Sequence, residues 1–342
     1  MTTSEIRFAI VGAGNVARYH ATGIARTTGA RLVAVCRADP ARAAEAAERF
    51  GVPCETSYEA LLARDDVDVV CICTPSGRHA AQAIAAARAG KHVLVEKPMA
   101  LTLADADEMI EACRAAGVLL GVALQRRADP TFQSVRAAIE AGELGRLVLG
   151  TVSVPYWRPQ SYYEGADWRG TWALDGGGAL MNQGIHLVDL LLWYMGDVAE
   201  VHASAATLAH TIEVEDCIAA TVRFKNGALG SIVATTAAAP GFPHRVEVYG
   251  DRGGVQIEGE GVARWADAAG DRVASAAPAE AGAGASPTGI SAIGHTRLIG
   301  DMVAAIREGR PPLVPGEEGR RSLELVLAIY AAARMGQMFH LE

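Results

Sequence analysis

A lysine and a histidine in this chain occupy settings in which they could move a proton. Lys97 directly follows the short apolar run 92–95, within the string Glu96-Lys97-Pro98. An ammonium at the carboxyl end of a strand lies where parallel sheets bind ligands, so it could hold a substrate hydroxyl while a hydride leaves the carbon. His186 is the natural general base, because an unperturbed imidazole titrates near neutral pH. Together with a dinucleotide-binding turn at the same sheet edge, residues 12–17, the Lys97 ammonium predicts hydride chemistry on an alcohol or a ketone.

The histidine lies in the stretch 175–189, which opens on three glycines and predicts a helix up to residue 192. Asn182, His186 and Asp189 are spaced i, i+4 and i+7, so they share one helix face. Asn182 could hydrogen-bond the substrate, and Asp189 could orient the imidazole. Two structural alternatives remain open: a buried histidine satisfied by Asp189, and a Lys97 side chain that simply extends to solvent.

The first strand, 7–11, ends in Gly12-Ala13-Gly14-Asn15-Val16-Ala17 and leads into a helix, which is the context of a dinucleotide-binding turn. Gly12 would permit the tight turn, and Gly14 would let the backbone approach a pyrophosphate. Ala17 would allow the helix to pack closely on the strand. The helix N-terminus would then bind the phosphates. Further candidate cofactor contacts lie in this turn, at later strand ends and in an aromatic loop: Asn15, Val16, Thr74, Pro75, His79, Glu96, Lys97, Gln125, Trp168 and Arg169.

Two of these candidates keep an alternative. Thr74-Pro75 is equally consistent with a plain turn, since X-Pro ends strands for local reasons. Glu96 is expected either to keep Lys97 charged or to contact the nicotinamide ribose.

The end of the second strand, 31–36, should distinguish NADP from NAD. Arg37 comes first after the strand and could pair with a 2′-phosphate. Asp39 precedes Pro40 and is typical of a helix N-cap with proline at the first helical position. We therefore favour NADP, with NAD possible if Asp39 reaches the ribose instead.

A loop between residues 156 and 172 is rich in aromatic residues and arginines, which suit the faces and hydroxyls of a sugar. The substrate-binding candidates, from this loop and beyond it, are Lys97, Tyr156, Arg158, Tyr163, Arg169, Asn182, His186 and His244, with Asp301 as a weaker pocket candidate. An aromatic lid packed only for structure is the alternative. No metal site is expected, and Glu213, Glu215 and Asp216 are interpreted as a solvated turn.

The fold class is predicted to be α/β. Short apolar runs alternate with helical stretches up to residue 124, which means parallel pairing in a doubly wound domain. After Arg127 the pattern changes to consecutive strands with turn signals, which favours an open, mostly antiparallel sheet. Residues 261–288 are Ala/Gly-rich and predicted to be loop-rich or irregular, with a partly ordered hairpin as the alternative. We place the domains at 1–126 and 127–342.

These features together resemble the Gfo/Idh/MocA family (glucose–fructose oxidoreductase, inositol dehydrogenase, rhizopine catabolism). The resemblance covers nearly the whole chain and rests on the glycine turn, Thr74-Pro75, Glu96-Lys97-Pro98, the stretch 176–189 and Gly319-Arg320-Arg321. It implies a Rossmann domain, hydride transfer between NAD(P) and a sugar or cyclitol hydroxyl, and a homodimer or homotetramer formed through the C-terminal sheet. The family's lysine falls on Lys97 and its histidine on His186.

The chain departs from the family at one catalytic position. Many members carry an aspartate four residues before the histidine, where this chain has Asn182. The substitution leaves Asn182 as a neutral hydrogen-bonding group. The string Met181-Asn182-Gln183 is similar to that of nucleotide-sugar 3-dehydrogenases and related sugar oxidoreductases.

Bulk properties narrow the class of protein further. A net charge of −8 argues against nucleic acid as a partner, and no apolar run predicts a membrane span. The six cysteines lack CxxC spacing and are interpreted as reduced core residues in a cytoplasmic protein. The alternatives to a sugar or inositol dehydrogenase are a non-catalytic NAD(P)-sensing protein and a reductase of a non-sugar carbonyl or imine.

Overall fold

The computed structural model describes residues 5–274, 282–286 and 291–341. The chain divides into two compact units, Met1–Ala128 with Ser291–Arg320, and Asp129–Ile290 with Arg321–Glu342. The sequence predicts a single domain boundary at 126/127, which would place residues 291–320 in the second domain. Those residues group with the first unit because the helix they form packs on Gly23, where an added Cβ would lie 3.0 Å from Ile299 Cδ1.

The first unit is built on a six-stranded parallel sheet of order β3-β2-β1-β4-β5-β6, which confirms the predicted Rossmann fold. Its elements are β1 (Ile6–Val11), α1 (Asn15–Arg26), β2 (Ala30–Cys36), α2 (Ala43–Phe50), β3 (Cys54–Glu55), α3 (Tyr58–Leu62), β4 (Val69–Ile72), α4 (His79–Arg88), β5 (His92–Val95), α5 (Leu103–Ala116) and β6 (Leu120–Val122), with α9 (Ile293–Glu308) returning later in the chain. Short 3₁₀ turns cover Pro40–Arg42, Ser76–Arg78 and Gln125–Ala128.

The central strands of this sheet are buried on both faces. All four residues of β4 are buried, and Phe8 and Ile10 of β1 are fully inaccessible. Continuous apolar runs are what strands covered by helices on both sides require. Asp39 is an N-cap, as predicted, but of a separate 3₁₀ turn before α2, where it accepts a hydrogen bond from Ala41 N (3.0 Å).

The second unit is built on a nine-stranded mixed sheet of order β14-β13-β12-β11-β7-β10-β9-β8-β15. Its elements are α6 (Pro130–Glu140), β7 (Leu147–Pro155), α7 (Gln160–Glu164), α8 (Ile185–Met195), β8 (Val198–Ala206), β9 (Cys217–Phe224), β10 (Leu229–Thr235), β11 (Arg245–Gly250), β12 (Gly253–Glu258), β13 (Gly261–Asp267), β14 (Gly270–Ala274) and β15 (Phe339–His340), together with most of α10 (Gly316–Met335). Among the described strands of this sheet, only β7 and β10 pair in parallel, so the predicted, mostly antiparallel sheet is confirmed.

The Ala/Gly-rich segment is more regular than predicted where it is described. Its first part forms the antiparallel hairpin β13–β14, in which Trp265 pairs with Val255 on one side and Val273 on the other. The apolar alternation of these strands is obscured in the sequence by neighbouring alanines and glycines. Residues 275–281 and 287–288 of the segment lie outside the described residues.

Within the described ranges, none of the helices is long and apolar enough to cross a membrane.

Candidate active site

The glycine turn after β1 has the geometry that a dinucleotide cradle needs. Gly12 has φ +91°, and a Cβ there would lie 2.6 Å from the carbonyl oxygen of Cys73, so no larger residue fits. At Gly14, by contrast, an added Cβ would meet no atom within 4 Å. Helix α1 begins directly after Gly14 without a side-chain cap, so its first N–H groups remain available to an anion. The turn therefore fits a pyrophosphate.

The end of β2 carries cationic side chains. Arg37 is half-buried, and its Nε is a buried donor with no hydrogen-bond partner among the described residues. Arg49 of α2 donates to the carbonyl oxygen of Ala13 in the glycine turn (3.3 Å). Asp39 is engaged as the cap of its own turn. An orphaned guanidinium N–H here suits an anionic group.

The loops that follow β4 and β5 are tied together by His79. Its ring is buried, with Nδ1 2.8 Å from the carbonyl oxygen of Pro98 and Nε2 2.8 Å from that of Thr74. Burial lowers the pKa of this imidazole. Pro75 begins the next turn, and Thr74 Oγ1 donates to Gln82 (2.6 Å). His79 orders the backbone at two strand ends, and its predicted contact with a cofactor stays a prediction.

Glu96 contacts two histidines that the sequence analysis did not connect with it. Its Oε1 lies 2.8 Å from His20 Nε2 and 3.3 Å from His295 Nε2, and its Oε2 accepts the amide of Lys97 (3.2 Å). Lys97 is half-buried, and the Lys97–Pro98 peptide is cis. His20 and His295 lie 76 and 199 residues from Glu96, so no local spacing could have revealed the cluster.

Gln125 lies just after β6, where its amide oxygen is buried without a hydrogen-bond partner among the described residues. A buried acceptor of this kind is expected to find a donor. The observation agrees with the predicted role of Gln125 as a cofactor contact, which stays a prediction. Asp301, the weaker pocket candidate, instead accepts bonds from Arg310 (2.8 Å) and from the amide of Leu313.

The predicted glycine-led helix begins as a π-helix, Ala179–Gly184, before continuing as α8. Glu215 caps the start of this helix. Its Oε2 accepts a hydrogen bond from the amide of Gly178 and its Oε1 accepts one from the amide of Leu180, each with a length of 2.9 Å. The Tyr330 hydroxyl also donates to Oε1 (2.9 Å). A Cβ at Gly177 would overlap that hydroxyl, so the glycines are required by the close approach of these two side chains. π-Helical turns are frequent at functional sites.

The interpretation of Glu213, Glu215 and Asp216 as a solvated turn is wrong for the last two. Glu215 is 5% exposed and Asp216 fully buried. Asp216 accepts hydrogen bonds of 2.7–3.0 Å from the amides of Leu208, Ala209 and His210. Burial alone would raise the pKa of Asp216, but these hydrogen bonds and that of the His210 ring lower it. The adjacent acidic residues resembled a surface turn because the sequence does not show their backbone donors, which for Glu215 lie 35 and 37 residues away and for Asp216 lie in the preceding loop.

The three residues of the predicted polar face lie on two kinds of helix, Asn182 on the π-helix and His186 and Asp189 on α8. Asn182 and His186 are half-buried, whereas Asp189 is fully buried and accepts the Ser322 hydroxyl (2.8 Å). Asn182 donates through Nδ2 to Asp175 Oδ1. The amide that stands at position 182, where the family resemblance implies a carboxylate, is thus in contact with a neighbouring carboxylate.

The aromatic loop is held by a buried arginine. Arg158 is 1% exposed, and its terminal nitrogens donate to the carbonyl oxygens of Trp157, Ala283 and Gly284 and to Gln183 Oε1. Burial lowers the pKa of its guanidinium. Because these donors are already engaged inside the fold, Arg158 orders the loop around the π-helix, and its predicted substrate contact stays a prediction.

Three other substrate candidates are paired inside the second unit. The Tyr156 hydroxyl lies 2.9 Å from His244 Nδ1, and the Tyr163 hydroxyl 2.8 Å from Thr236 Oγ1. All three side chains are buried. These contacts are also those expected of a loop packed for structure, and the predicted substrate contacts of the three residues stay predictions.

Arg169 and Trp168 are half-buried neighbours in the same loop. The guanidinium of Arg169 lies 4.3 Å from the Tyr162 ring centroid and 5.5 Å from that of Trp168. Its Nη1 donates to the carbonyl oxygen of Tyr162 (2.7 Å). Stacking of this kind fixes the direction of the arginine.

Comparison with known proteins agrees with this geometry. Residues 6–124 match the oxidoreductase family with an NAD-binding Rossmann fold, and residues 132–256 match the GFO/IDH/MocA C-terminal domain. The 1,5-anhydro-D-fructose reductase of Ensifer adhaerens is 32% identical over 98% of both chains. The chain belongs to the Gfo/Idh/MocA family. Its predicted family and its class, an NAD(P)-dependent oxidoreductase of CH–OH groups, are confirmed.

Relatives of this Gfo/Idh/MocA protein act on sugars and cyclitols. The myo-inositol 2-dehydrogenase of Thermotoga maritima is 30% identical over 94% of both chains. Among solved structures, the WlbA dehydrogenase of Bordetella pertussis, in complex with NADH and UDP-GlcNAcA, is 38% identical over 99% of both chains with a TM-score of 0.88. Levoglucosan dehydrogenase, in complex with NADH and L-sorbose, is 26% identical over 99% of this chain and all of that one, with a TM-score of 0.86.

Proposed function

We propose that this protein oxidises or reduces one hydroxyl-bearing carbon of a nucleotide-linked sugar acid, with NADP as the preferred cofactor. The observation that carries the redox part lies in the first unit. The open N-terminus of α1 follows β1, and Lys97 follows β5, at the edge of a parallel sheet where ligands bind. A dinucleotide cradle and an ammonium at the same sheet edge fit dehydrogenation of an alcohol.

The proton chemistry is assigned to Lys97 and His186, with Asn182 as a hydrogen-bonding group. His186 removes the hydroxyl proton, and Lys97 steadies the developing alkoxide. The nicotinamide, when bound, supplies the hydride acceptor. In the reverse reduction the imidazolium returns the proton.

The choice of substrate class follows from two related structures that were solved with a bound UDP-sugar acid. The WlbA dehydrogenases of Bordetella pertussis and Chromobactrium violaceum, 38% and 37% identical to this chain, both hold UDP-GlcNAcA. We therefore put UDP-GlcNAcA, or a closely similar UDP-sugar acid, first among candidate substrates. Levoglucosan and myo-inositol are the comparison substrates, taken from more distant relatives.

The preference for NADP is supported by Arg37 and Asp39. The unpartnered Nε of Arg37 is a donor for a 2′-phosphate, whereas Asp39 already accepts Ala41 N as a cap. The related complexes contain NADH, so a preference for NADP would distinguish this chain from them.

The test is an absorbance assay at the nicotinamide band with both cofactors, against UDP-GlcNAcA, myo-inositol, levoglucosan, a dihydrodiol and an imine. We expect turnover of UDP-GlcNAcA with the highest kcat/KM for NADP. Lys97→Ala and His186→Ala should each lower kcat by about a hundredfold or more, as expected for groups that act on the proton in flight. No turnover with any substrate would favour a cofactor-sensing role, and turnover of only a dihydrodiol or an imine would favour a non-sugar reductase.

The sheet of the second unit is proposed as the interface of a homodimer or homotetramer. Gly150 on its covered face lies against Leu191 and Met195 of α8. Apolar side chains on the other face remain 39–50% exposed: Leu149, Leu229 and Val233. Adjacent exposed apolar side chains mark contact surfaces. Light scattering of Leu229→Lys/Val233→Lys should give a monomer, and an unchanged mass would contradict the proposal.

A further inference from the structure

Three buried ionisable side chains meet next to Lys97. Glu96 follows β5, His20 comes from α1, and His295 comes from α9. His20 and His295 are 0% and 3% exposed, and Glu96 is 6% exposed. The two imidazole rings meet edge to face with centroids 5.0 Å apart, and both direct Nε2 at the same carboxylate oxygen.

The hydrogen bonds determine where the protons lie. The Nδ1 atoms of both rings are buried and have no hydrogen-bond partner among the described residues. An imidazolium would bury an unsatisfied N–H at each Nδ1, which is costly. Two neutral imidazoles that each donate Nε2–H to an ionised Glu96 leave one acceptor lone pair unpaired at each Nδ1, but they bury neither an unpaired N–H nor a cationic ring. The cluster is therefore a carboxylate with two neutral donors.

The same three residues could in principle hold a metal ion. A histidine that binds a metal normally donates its other ring N–H to a carboxylate or carbonyl oxygen. Here neither His20 nor His295 has such an acceptor at Nδ1. The donor set fits protons better than a metal.

The carboxylate is coupled directly to the backbone of Lys97. Glu96 Oε2 accepts the amide of Lys97, and on the far side His79 contacts the carbonyl oxygen of Pro98. We propose that His20 and His295 are positioning residues, which keep Glu96 ionised so that it fixes the main chain at Lys97 and balances its ammonium. This inference rests on the proposed catalytic role of Lys97.

The pKa of Glu96 depends on the two imidazole donors. Burial alone would raise the pKa of Glu96, but the hydrogen bonds from His20 and His295 hold it well below its usual range. The other titratable groups that face Glu96 are His79 of α4, Lys97, and the thiols of Cys71 and Cys73. Burial raises the pKa of both thiols, so these two groups stay uncharged near neutral pH. Burial lowers the pKa of His79, while its contacts with the carbonyl oxygens of Pro98 and Thr74 act in the opposite direction. Removing an imidazole donor would let burial raise the pKa of Glu96.

The experiment compares His20→Leu and His295→Leu with His20→Gln and His295→Gln in the full-length protein. The leucine variants lose the donor, and we expect kcat to fall about tenfold or more at pH 7, in line with the loss of a hydrogen bond to a charged group. That loss should shrink as the pH rises, because Glu96 ionises again. The glutamine variants keep an N–H donor and should stay within about threefold of the wild type. KM and the dinucleotide Kd should change less than kcat.

His92→Leu is the matched control, because His92 is a partly buried histidine at the opposite end of β5 that accepts the amide of Leu119 (3.0 Å). It should leave the pH profile of kcat unmoved. A loss of kcat that is equal at every pH, or no rescue by glutamine, would overturn the proposal. Stoichiometric metal in the purified protein would overturn it as well.

A second measurement does not depend on turnover. Nitrogen-15 spectra of the labelled wild-type histidines, assigned with the two glutamine variants, should show His20 and His295 as neutral rings protonated at Nε2. A doubly protonated ring at either position would overturn the proposal. If instead no sugar is turned over while the tautomers are as expected, the failure belongs to the proposed function and not to the cluster.

Discussion

Gly178 lies so close to Glu215 that a methyl group on its Cα would overlap the carbonyl oxygen of Glu215, whose carboxylate also accepts the Gly178 amide. The glycine is therefore part of a contact between the π-helix and the β8–β9 connection. Its φ is −108°, so the requirement is space and not backbone conformation.

Gly178→Ala should destabilise the protein by more than about 2 kcal/mol, because either Glu215 or the start of the π-helix must move. We also expect kcat to fall, since Asn182 and His186 follow this turn. Gly261→Ala is the control, because a Cβ there meets no atom within 4 Å and φ is ordinary. Thermal unfolding and steady-state kinetics measure both effects. Equal unfolding temperatures for the two variants would contradict the prediction.

Asn182→Asp should place a second carboxylate against Asp175, and like charges at this distance repel. We expect a loss of roughly 1–3 kcal/mol in stability near neutral pH, comparable to an unmade buried hydrogen bond. The exchanged pair Asp175→Asn/Asn182→Asp restores one amide and one carboxylate. The loss of unfolding free energy in this double variant should be smaller, by about 1 kcal/mol or more, than the sum of the losses in the two single variants. Simple additivity would show that the two residues are not coupled.

Arg37→Ala should lower kcat/KM for NADP by about tenfold or more, the value of a hydrogen bond to a charged group, and change that for NAD much less. The control is Arg114→Ala, which removes an equal charge from an exposed ion pair with Glu111. Initial rates with both cofactors measure the ratio. A parallel decline for NAD and NADP would remove Arg37 from cofactor selection.

Asp216→Asn should destabilise the second unit most at neutral pH. The hydrogen bonds that lower the pKa of Asp216 contribute stability above its unfolded pKa of about 3.9. That contribution is lost as the pH falls through the lower folded value, so the two proteins should converge in acid. Asp271→Asn, which breaks an exposed pair with Arg264, should cost at most about 1 kcal/mol. Unfolding curves from pH 7 down to pH 3 provide the comparison.

The regular parts of this fold were predictable because they depend on neighbouring residues. The parallel strands follow from apolar runs and the helix ends from cap residues such as Asp39 and Gly117, which has φ +68°. The short strands Cys54–Glu55 and Phe339–His340 were missed, because two residues carry no detectable period.

The site was predictable where a motif is continuous in the chain. The glycine turn and the polar face with Asn182 and His186 lie within single segments. Glu215, His20 and His295 were not predicted as site residues because their hydrogen-bond partners are far away in sequence. The residue type alone also does not show whether a carboxylate is buried or exposed. Tertiary hydrogen bonding alone distinguishes them.

The return of α9 to the first unit sets a limit on how this protein can be dissected. A fragment that stops at Ala128 would leave the side of α1 at Gly23 without its neighbour and would remove one of the two imidazoles from Glu96. Half of the enzyme cannot therefore be excised by a single cut. A self-sufficient nucleotide-binding fragment needs residues 291–320 spliced back onto it, and truncations of the carboxyl third should disable the opposite end of the polypeptide.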